Sequence, residues 1–404
     1  MRNLKFKIKQ LLKMFSQHVL FPLVYNLNRF KSVNKNKIIL ADAHHEKCPQ
    51  YMRQVRAALF HLGFDIEECF FDLRKISAFS GMKKMLGFMR LYAVSGCVII
   101  CNNFLPVAAC KKRKETRVIQ LWHGCGAFKK FGYDALDDIP KGYRGNVYKN
   151  YDLVTVSGEY CVPFFESAMR LGKGIAKPLG CCITDRLFDR EYLGLCREKF
   201  KHIHSDAEGK RVVLWAPTFR GNAGDANVVG EQYIDRLADM YKNELYVIKS
   251  LHPMSEGGTR EAGGMPCDQM SRRDPAKPED TLLLYMSSSE LLVCADVLIT
   301  DYSSIFFEYL LLDRPIVFFA PDYEVYARDR GFYLDYDSLP GHIVKNNNID
   351  EAVRILYNAV REDGTGMNVT NESQMSVLRQ KFREQYMSAC DGHVAERIVK
   401  EISR

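Results

Sequence analysis

Short apolar runs, separated by longer stretches of helical periodicity, recur along this chain. Lys37-Ile38-Ile39-Leu40-Ala41 reads as a buried first strand, followed by a polar loop and a helix over about 50–62. Phe64–Phe70, Cys97–Cys101, Val118–Trp122 and Leu153–Ser157 repeat the pattern. Each run is too short for a helix, and short runs separated by helical stretches predict the strands of a parallel, doubly wound sheet. The stretch 173–210, rich in Gly, Lys and charge, separates these from a second set: Val212–Ala216, Leu245–Ile248, Leu282–Tyr285, Val297–Thr300 and Ile316–Phe319. Strands alternating with helices predict an α/β fold of two Rossmann-like, doubly wound halves with a cleft between them. The linker is expected near 200–210. Residues 255–280 combine Gly, Pro and charge without periodicity and predict a long surface loop. The expected division is an arm (1–36), an N-terminal half (37–200), a C-terminal half (201–373) and a helical tail (374–404).

Charge changes the picture at one end only. The chain has 404 residues, 47% hydrophobic and 26% charged, which excludes disorder and a membrane-embedded bundle. Its 57 basic and 49 acidic residues give +8, but residues 1–41 hold nine of the basic side chains and no acidic one. The rest is a near-neutral body. In the arm, Leu4, Phe6, Ile8, Leu11, Leu12, Phe15, Val19 and Leu20 keep roughly helical spacing, with lysines filling the other side up to Lys13. That pattern suits a helix lying in an anionic membrane interface, where each Lys or Arg contributes about 1 kcal/mol. Lys13 and His18 interrupt the apolar run, which disfavours a secretory signal. No arginine–aromatic interleaving points to nucleic acid. Residues 91–110 are twenty without a charge, yet Asn102, Asn103 and Pro106 make a buried strand with a loop the better reading than a membrane span. Thirteen scattered cysteines without a C-x-x-C pair predict reduced, mostly buried thiols.

Ligands of open α/β sheets sit at the carboxyl ends of strands, so the residues just beyond each run are the candidates for chemistry. Asp301-Tyr302-Ser303-Ser304 ends a strand and opens a helix, offering hydroxyls and free N–H groups to a phosphate, with Glu308 one turn on to accept from a polyol hydroxyl. The same residues also read as a plain N-cap. His123, beside Gly124 and Gly126, is a neutral imidazole at pH 7 with room for a ligand, or a structural histidine. His252-Pro253 ends another run, and Arg220, after Pro217-Thr218, offers a fork to phosphate oxygens or to solvent. His44-His45 follow the first strand and are candidates for the acceptor side of the cleft.

Taken together these segments resemble one family. L-W-H-G-C-G-A-F-K-K-F-G (121–132) is similar to the W-H-G-T-P-x-K-x-x-G segment of the CDP-glycerol glycerophosphotransferases, the teichoic-acid primases and polymerases of bacterial walls. V-L-W-A-P-T-F-R-G (213–221), L-H-P (251–253), A-D-V-L-I-T-D-Y-S-S-I-F-F-E (295–308), L-D-R-P-I-V-F-F (312–319), R-G-F-Y-L-D-Y (330–336) and D-G-H-V-A-E-R (391–397) follow in the family's order. The resemblance implies a GT-B fold and transfer of a polyol phosphate, glycerol phosphate first and ribitol phosphate second, from a CDP-polyol to a hydroxyl of a lipid-linked glycan or teichoic-acid-like acceptor, with release of CMP. It implies His123 as catalytic base and His252 as a phosphate-side histidine. Gly124, Cys125, Gly126, Pro217, Thr218, Ser303, Ser304 and Glu308 match its donor contacts, and Asp301 and Arg220 stand among them. No cofactor and no obligatory metal are expected, and the arm's charge and apolar face point to a peripheral enzyme on the cytoplasmic face of the membrane. Two departures stand out. Cys125-Gly126 replace Thr-Pro, and G-x-P-R-x-D appears as Gly180-Cys181-Cys182-Ile183-Thr184-Asp185, leaving Arg186 to substitute for the absent arginine. A GT-B sugar transferase or epimerase acting on a UDP-sugar, and a non-catalytic scaffold of envelope assembly, are the competing readings.

Overall fold

A computed structural model describes residues 13–136, 138–139, 145–220, 227–250, 259–261, 286–361 and 369–403. His252 and the run Leu282–Tyr285 lie outside the described residues. The chain divides into two units. The first takes the described residues up to Gly124, then Phe131–Asp185 and Ser388 onward; the second takes Cys125–Lys130 and Arg186–Met387.

Unit 1 is built on a seven-stranded sheet formed by β1 (Asn34–Asp42), β2 (His44–His45), β3 (Asp65–Asp72), β4 (Ser95–Ile100), β5 (Arg117–Gln120), β6 (Leu153–Thr155) and β7 (Ala176–Lys177). The order is β2-β3-β1-β4-β5-β6-β7, parallel except where β2 runs against β3. Because β1 pairs with β3 on one side and β4 on the other, the strand order reverses between β1 and β4. That is where a doubly wound sheet opens a crevice at its carboxyl edge. Ile38, Leu40, Ile99, Ile119 and Leu153 are buried under the helix Gln50–His61 and the C-terminal helix Val394–Ile402. Val394, Ala395, Ile398, Val399 and Ile402 form the buried stripe of that last helix, one face of a 3.6-residue period.

Two motifs 200 residues apart prove to be structural partners here. Asp185 accepts from the N–H groups of Val394 (3.0 Å) and Ala395 (2.9 Å), closing the start of the C-terminal helix. Gly180, at φ +100°, lies where a Cβ would collide with the Ala389 carbonyl and Val394. Arg397 reaches back to Asp391 and to the Leu179 carbonyl. The Gly…Asp segment and D-G-H-V-A-E-R together hold the returning chain in unit 1.

Unit 2 carries β8 (Arg211–Ala216), β9 (Phe219–Arg220), β10 (Asn227–Val228), β11 (Leu245–Ser250), β12 (Thr259–Glu261), β13 (Val297–Thr300), β14 (Ile316–Phe319) and β15 (His342–Val344). Its main sheet has the order β12-β11-β8-β13-β14-β15 and switches between β8 and β13; β9 and β10 form a separate hairpin. The expected surface loop over 255–280 is therefore interrupted, since Thr259–Glu261 adds an antiparallel edge to β11. Val213, Trp215, Ile299, Val317 and Phe319 build the core with the helix Ile349–Arg361.

The apolar stretch 91–110 resolves into the buried strand β4 and a short helix, Leu105–Ala108. Among the described residues no helix is long and apolar enough to cross a membrane. The twelve described cysteines are unbridged, and burial pushes the Cys97 thiol up to about 12.

Of the arm's apolar positions, Leu4, Phe6, Ile8, Leu11 and Leu12 lie outside the described residues. Residues 13–28 are helical, with a π turn at Ser16–Leu20 leading into the helix Phe21–Asn28. The side turned inward holds Ser16, Gln17, Phe21 and Tyr25; Tyr25 packs on Tyr92 (5.1 Å) and accepts from the Arg113 N–H. Phe15, Val19, Leu23 and Leu27, four residues apart, face outward and are exposed, and Phe30 is 81% exposed. An aromatic anchor takes the inner side, so the apolar stripe is left for the outer one.

Candidate active site

The carboxyl edge of the unit 1 sheet gathers its chemistry at the switch between β1 and β4. β5 ends at Gln120, whose buried amide donates to the Asn102 carbonyl (3.1 Å) and accepts from the Trp122 N–H (2.9 Å). Trp122 is then held at φ +58°, a left-handed conformation costing a non-glycine residue about 1–3 kcal/mol. Its ring packs against Phe131 (5.2 Å) and Phe165 (5.6 Å), which hold the turn in place. The turn sets His123 at the surface, with Nδ1 3.2 Å from the Cys101 carbonyl and Tyr51 edge-on to its ring at 6.4 Å. A carbonyl only accepts, so Nδ1 carries the proton and Nε2 is the free base. One edge of the ring is open to solvent. Even so, desolvation by the protein packed around it pushes its pKa below that of a free histidine, with smaller opposing and reinforcing effects from Asp42 and from His44 and His45. A neutral imidazole is therefore favoured at pH 7, the form a general base needs.

Beside it, Asp42 is buried at the end of β1. It accepts from the His44 N–H (2.8 Å), His45 Nδ1 (2.7 Å) and Asn102 Nδ2 (2.8 Å). Burial alone would raise its pKa, but these partners together hold it well below the usual carboxylate range. The sequence reading passed over Asp42; the signal available was a carboxylate at a strand end directly before a histidine pair.

In unit 2 the switch between β8 and β13 brings Pro217-Thr218 and Asp301–Ser304 together. Asp301 Oδ1 accepts from the Thr218 N–H (2.7 Å) and from the Tyr302 N–H, and the Asp301 carbonyl accepts from the Tyr336 hydroxyl (3.2 Å). Arg220 departs from its expected role as an open fork for phosphate. Its donors go to Asp322 (2.9 Å), Asp301 (3.0 Å) and the Thr218 carbonyl, and its guanidinium lies 4.9 Å from the Tyr302 ring centre and 4.6 Å from that of Tyr326. Asp301 and Arg220 thus tie the ends of β8 and β13 to each other. Lys249, the basic residue before His-Pro, is likewise committed, buried against Glu231 (3.0 Å) and Asp235 (2.5 Å).

What this scaffold presents is smaller. Thr218 Oγ1 is buried without a hydrogen-bond partner among the described residues. Ser303 Oγ accepts from the Ile305 N–H (3.4 Å), while Ser304 makes no side-chain cap to the six-residue helix Ile305–Leu310. On that helix Glu308 has its pKa raised by burial, against the opposing charge of Arg186, which itself lies over Tyr192 at 5.5 Å. Cys125 is buried. Gly126 sits at φ +66°, where an added Cβ would overlap the Phe307 ring, and no proline could follow that path. Beyond it the Phe128 carbonyl accepts from the Tyr333 N–H (2.8 Å) and Phe128 stacks on Phe332 (4.9 Å), tying this segment to R-G-F-Y.

No group of His, Cys, Asp and Glu able to hold a metal occurs among the described residues. The acidic pair of Asp335-Tyr336-Asp337 is engaged locally, Asp335 by the Asp337 N–H (3.3 Å) and Asp337 by Lys345 (2.6 Å).

Comparison with known proteins places these features in one group. A family described as CDP-glycerol:poly(glycerophosphate) glycerophosphotransferase matches residues 23–404. The chain is 31% identical to a teichoic acid ribitol-phosphate primase of Bacillus spizizenii over 78% of its own length and 77% of the relative's. It is also 31% identical to a teichoic acid glycerol-phosphate primase of Bacillus subtilis, covering 61% of each chain. The solved wall teichoic acid polymerase TagF superimposes with a TM-score of 0.68 at 19% identity, over all of this chain and 96% of that one. The fold is accordingly GT-B.

Proposed function

The chain belongs to the CDP-glycerol:poly(glycerophosphate) glycerophosphotransferase family, and from that membership we propose that it transfers a polyol phosphate from a CDP-polyol to a hydroxyl of a lipid-linked, teichoic-acid-like acceptor. The acceptor oxygen bonds to the phosphorus bearing the polyol, the bond from that phosphorus to the bridging oxygen breaks, and CMP leaves. The acceptor proton passes to His123. CMP departs as a phosphate whose second pKa is about 6, so its departure needs little acid help. The protein's work is to align the hydroxyl and to balance charge on the diphosphate.

The observation that carries this reading is the coincidence of the family's segments with both topological switch points. His123 stands at one, with Nε2 free and its pKa lowered. Thr218, Ser303 and Ser304 stand at the other, on a frame that Asp301 and Arg220 lock. In the proposed roles, Thr218, Ser303, Ser304 and His252 hold the donor phosphates. Gly124, Cys125, Gly126 and Pro217 shape the donor pocket, Glu308 accepts from a donor hydroxyl, and Arg186 takes the charge of the family's missing arginine. No resident cofactor or metal enters this scheme. Both ribitol- and glycerol-phosphate enzymes stand among the relatives at the same identity, so CDP-ribitol and CDP-glycerol are tested side by side. Release of CMP with transfer of the polyol phosphate supports the reading; release of UDP from a UDP-sugar, or no turnover with either donor, refutes it.

We further propose that the enzyme works as a peripheral protein at an anionic, cytoplasmic membrane surface. The outward stripe Phe15, Val19, Leu23 and Leu27 supports this, ending in exposed Phe30 between Arg29 and Lys31. An apolar face flanked by cations suits the boundary between lipid headgroups and acyl chains.

A further inference from the structure

Among the residues around His123, one set is more elaborate than a strand end requires. A turn after β1 would be served by the bond from the His44 N–H to Asp42 alone. Asp42 instead spends its second oxygen on Asn102 and also binds the His45 ring at 2.7 Å. A buried carboxylate can only accept, so Nδ1 carries a proton toward Asp42, and in the neutral ring Nε2 is then the nitrogen left to accept. The His45 side chain is about 42% exposed, which leaves that nitrogen accessible. His123 is arranged in the same way, with Nδ1–H on the Cys101 carbonyl and Nε2 free. Cys101 immediately precedes Asn102, the residue clamped to Asp42, so one carboxylate braces the supports of both rings. His45 and His123 are thus joined through Asp42 and the adjacent residues Cys101 and Asn102, by contacts of 2.7, 2.8 and 3.2 Å.

Resting on the transferase reading, we propose that His45, oriented by Asp42, accepts a hydrogen bond from a second hydroxyl of the acceptor, next to the one that attacks. His123 takes the proton of the attacking hydroxyl, and His45 Nε2 receives the O–H of its neighbour. Asp42 is the positioning residue. The ligand class is an acceptor whose reactive end is a vicinal diol, as in a polyol or a sugar. The pair would then decide which hydroxyl attacks and would discriminate against an acceptor lacking the second one.

The test uses the full chain, a saturating CDP-polyol, and two soluble acceptors. One is an alkyl disaccharide ending in glycerol phosphate; the other is its counterpart ending in propanediol phosphate without the second hydroxyl. The wild type should show about tenfold lower kcat/KM for the deoxy acceptor, the worth of one hydrogen bond made in a site built for it. H45A should lose that discrimination while leaving the donor KM unchanged. H45Q, whose amide reaches toward the Nε2 position, should restore part of it. D42N should behave like H45A, and D42N/H45A should be no worse in discrimination than H45A. If D42N fails to fold, nitrogen-15 NMR of wild-type His45 replaces it: the Nδ1–H tautomer supports the proposal, and the Nε2–H tautomer overturns it. Discrimination that persists in H45A overturns it as well. Wild-type enzyme that releases no CMP from either donor removes the transferase reading itself, and this inference with it.

Discussion

Gly126 stands where relatives of the resembled pattern carry proline, and its geometry allows a quantitative forecast. Its φ of +66° costs a residue with a Cβ about 1–2 kcal/mol. The added Cβ would also come closer to Phe307 than the 3.0 Å that real Cβ contacts respect. Phe307 is fully buried and stacked on Phe306 at 4.0 Å, so its ring has little room to retreat. Overpacking of that kind costs about 1–3 kcal/mol more. Gly126→Ala should therefore lower the stability of unit 2 by about 2–5 kcal/mol, read as a shift in the urea midpoint at unchanged slope. Phe307→Ala alone should cost about 3–5 kcal/mol through its cavity. In the double variant the steric part vanishes, so the combined loss should fall short of the sum by about 1–3 kcal/mol. Additivity within about 0.5 kcal/mol would refute the steric argument. A Gly126→Ala variant as stable as wild type would refute both parts.

Other consequences are open to simpler measurements. His123→Ala should keep donor binding by calorimetry and lose about 10²–10⁴-fold in turnover; unchanged turnover removes its role. Because the folded pKa of His123 is lowered, the acid limb of kcat/KM should fall below about pH 6.5. The matching stability is present above that unfolded value and lost as pH falls through the folded one, so acid should destabilise wild type more than H123Q. Asp185→Ala strands the buried N–H groups of Val394 and Ala395 and should cost about 2–4 kcal/mol by chemical unfolding. Replacing Phe15, Val19, Leu23 and Leu27 with serine should abolish sedimentation with anionic vesicles while leaving the thermal midpoint unchanged, since these side chains face outward. Persistent sedimentation would move the membrane surface elsewhere.

The strands at the sheet centres were legible because a parallel strand buried on both faces must be apolar throughout. Lys37–Ala41, Cys97–Cys101, Val212–Ala216 and Ile316–Phe319 each fall on one. Strands of two or three residues, such as β2, β7 and β12, carry too few positions for a pattern. The candidate site was legible where a segment's own residues made it, as at His123 and Ser303-Ser304. It was not legible where partners lie far off in the chain. Arg220 read as an open fork because Asp322 stands 102 residues away. Asp185 read only as the end of the family's G-x-P-R-x-D segment because the helix it closes is 209 residues on. The left-handed turn at Trp122 had no glycine to announce it, being held by rings from Phe131 and Phe165. Over residues 13–28 of the arm, which side turns inward depends on Tyr25 finding Tyr92, far off in the chain.

Transfer itself is tested most directly by incubating the full chain with CDP-glycerol or CDP-ribitol and a lipid-linked glycan acceptor, and following CMP and the extended acceptor together. Stoichiometric CMP and polyol-phosphate addition with one of the donors, abolished by His123→Ala, is the expected result. Turnover that releases UDP from a UDP-sugar instead, or CMP release that is indifferent to His123, would contradict the assignment.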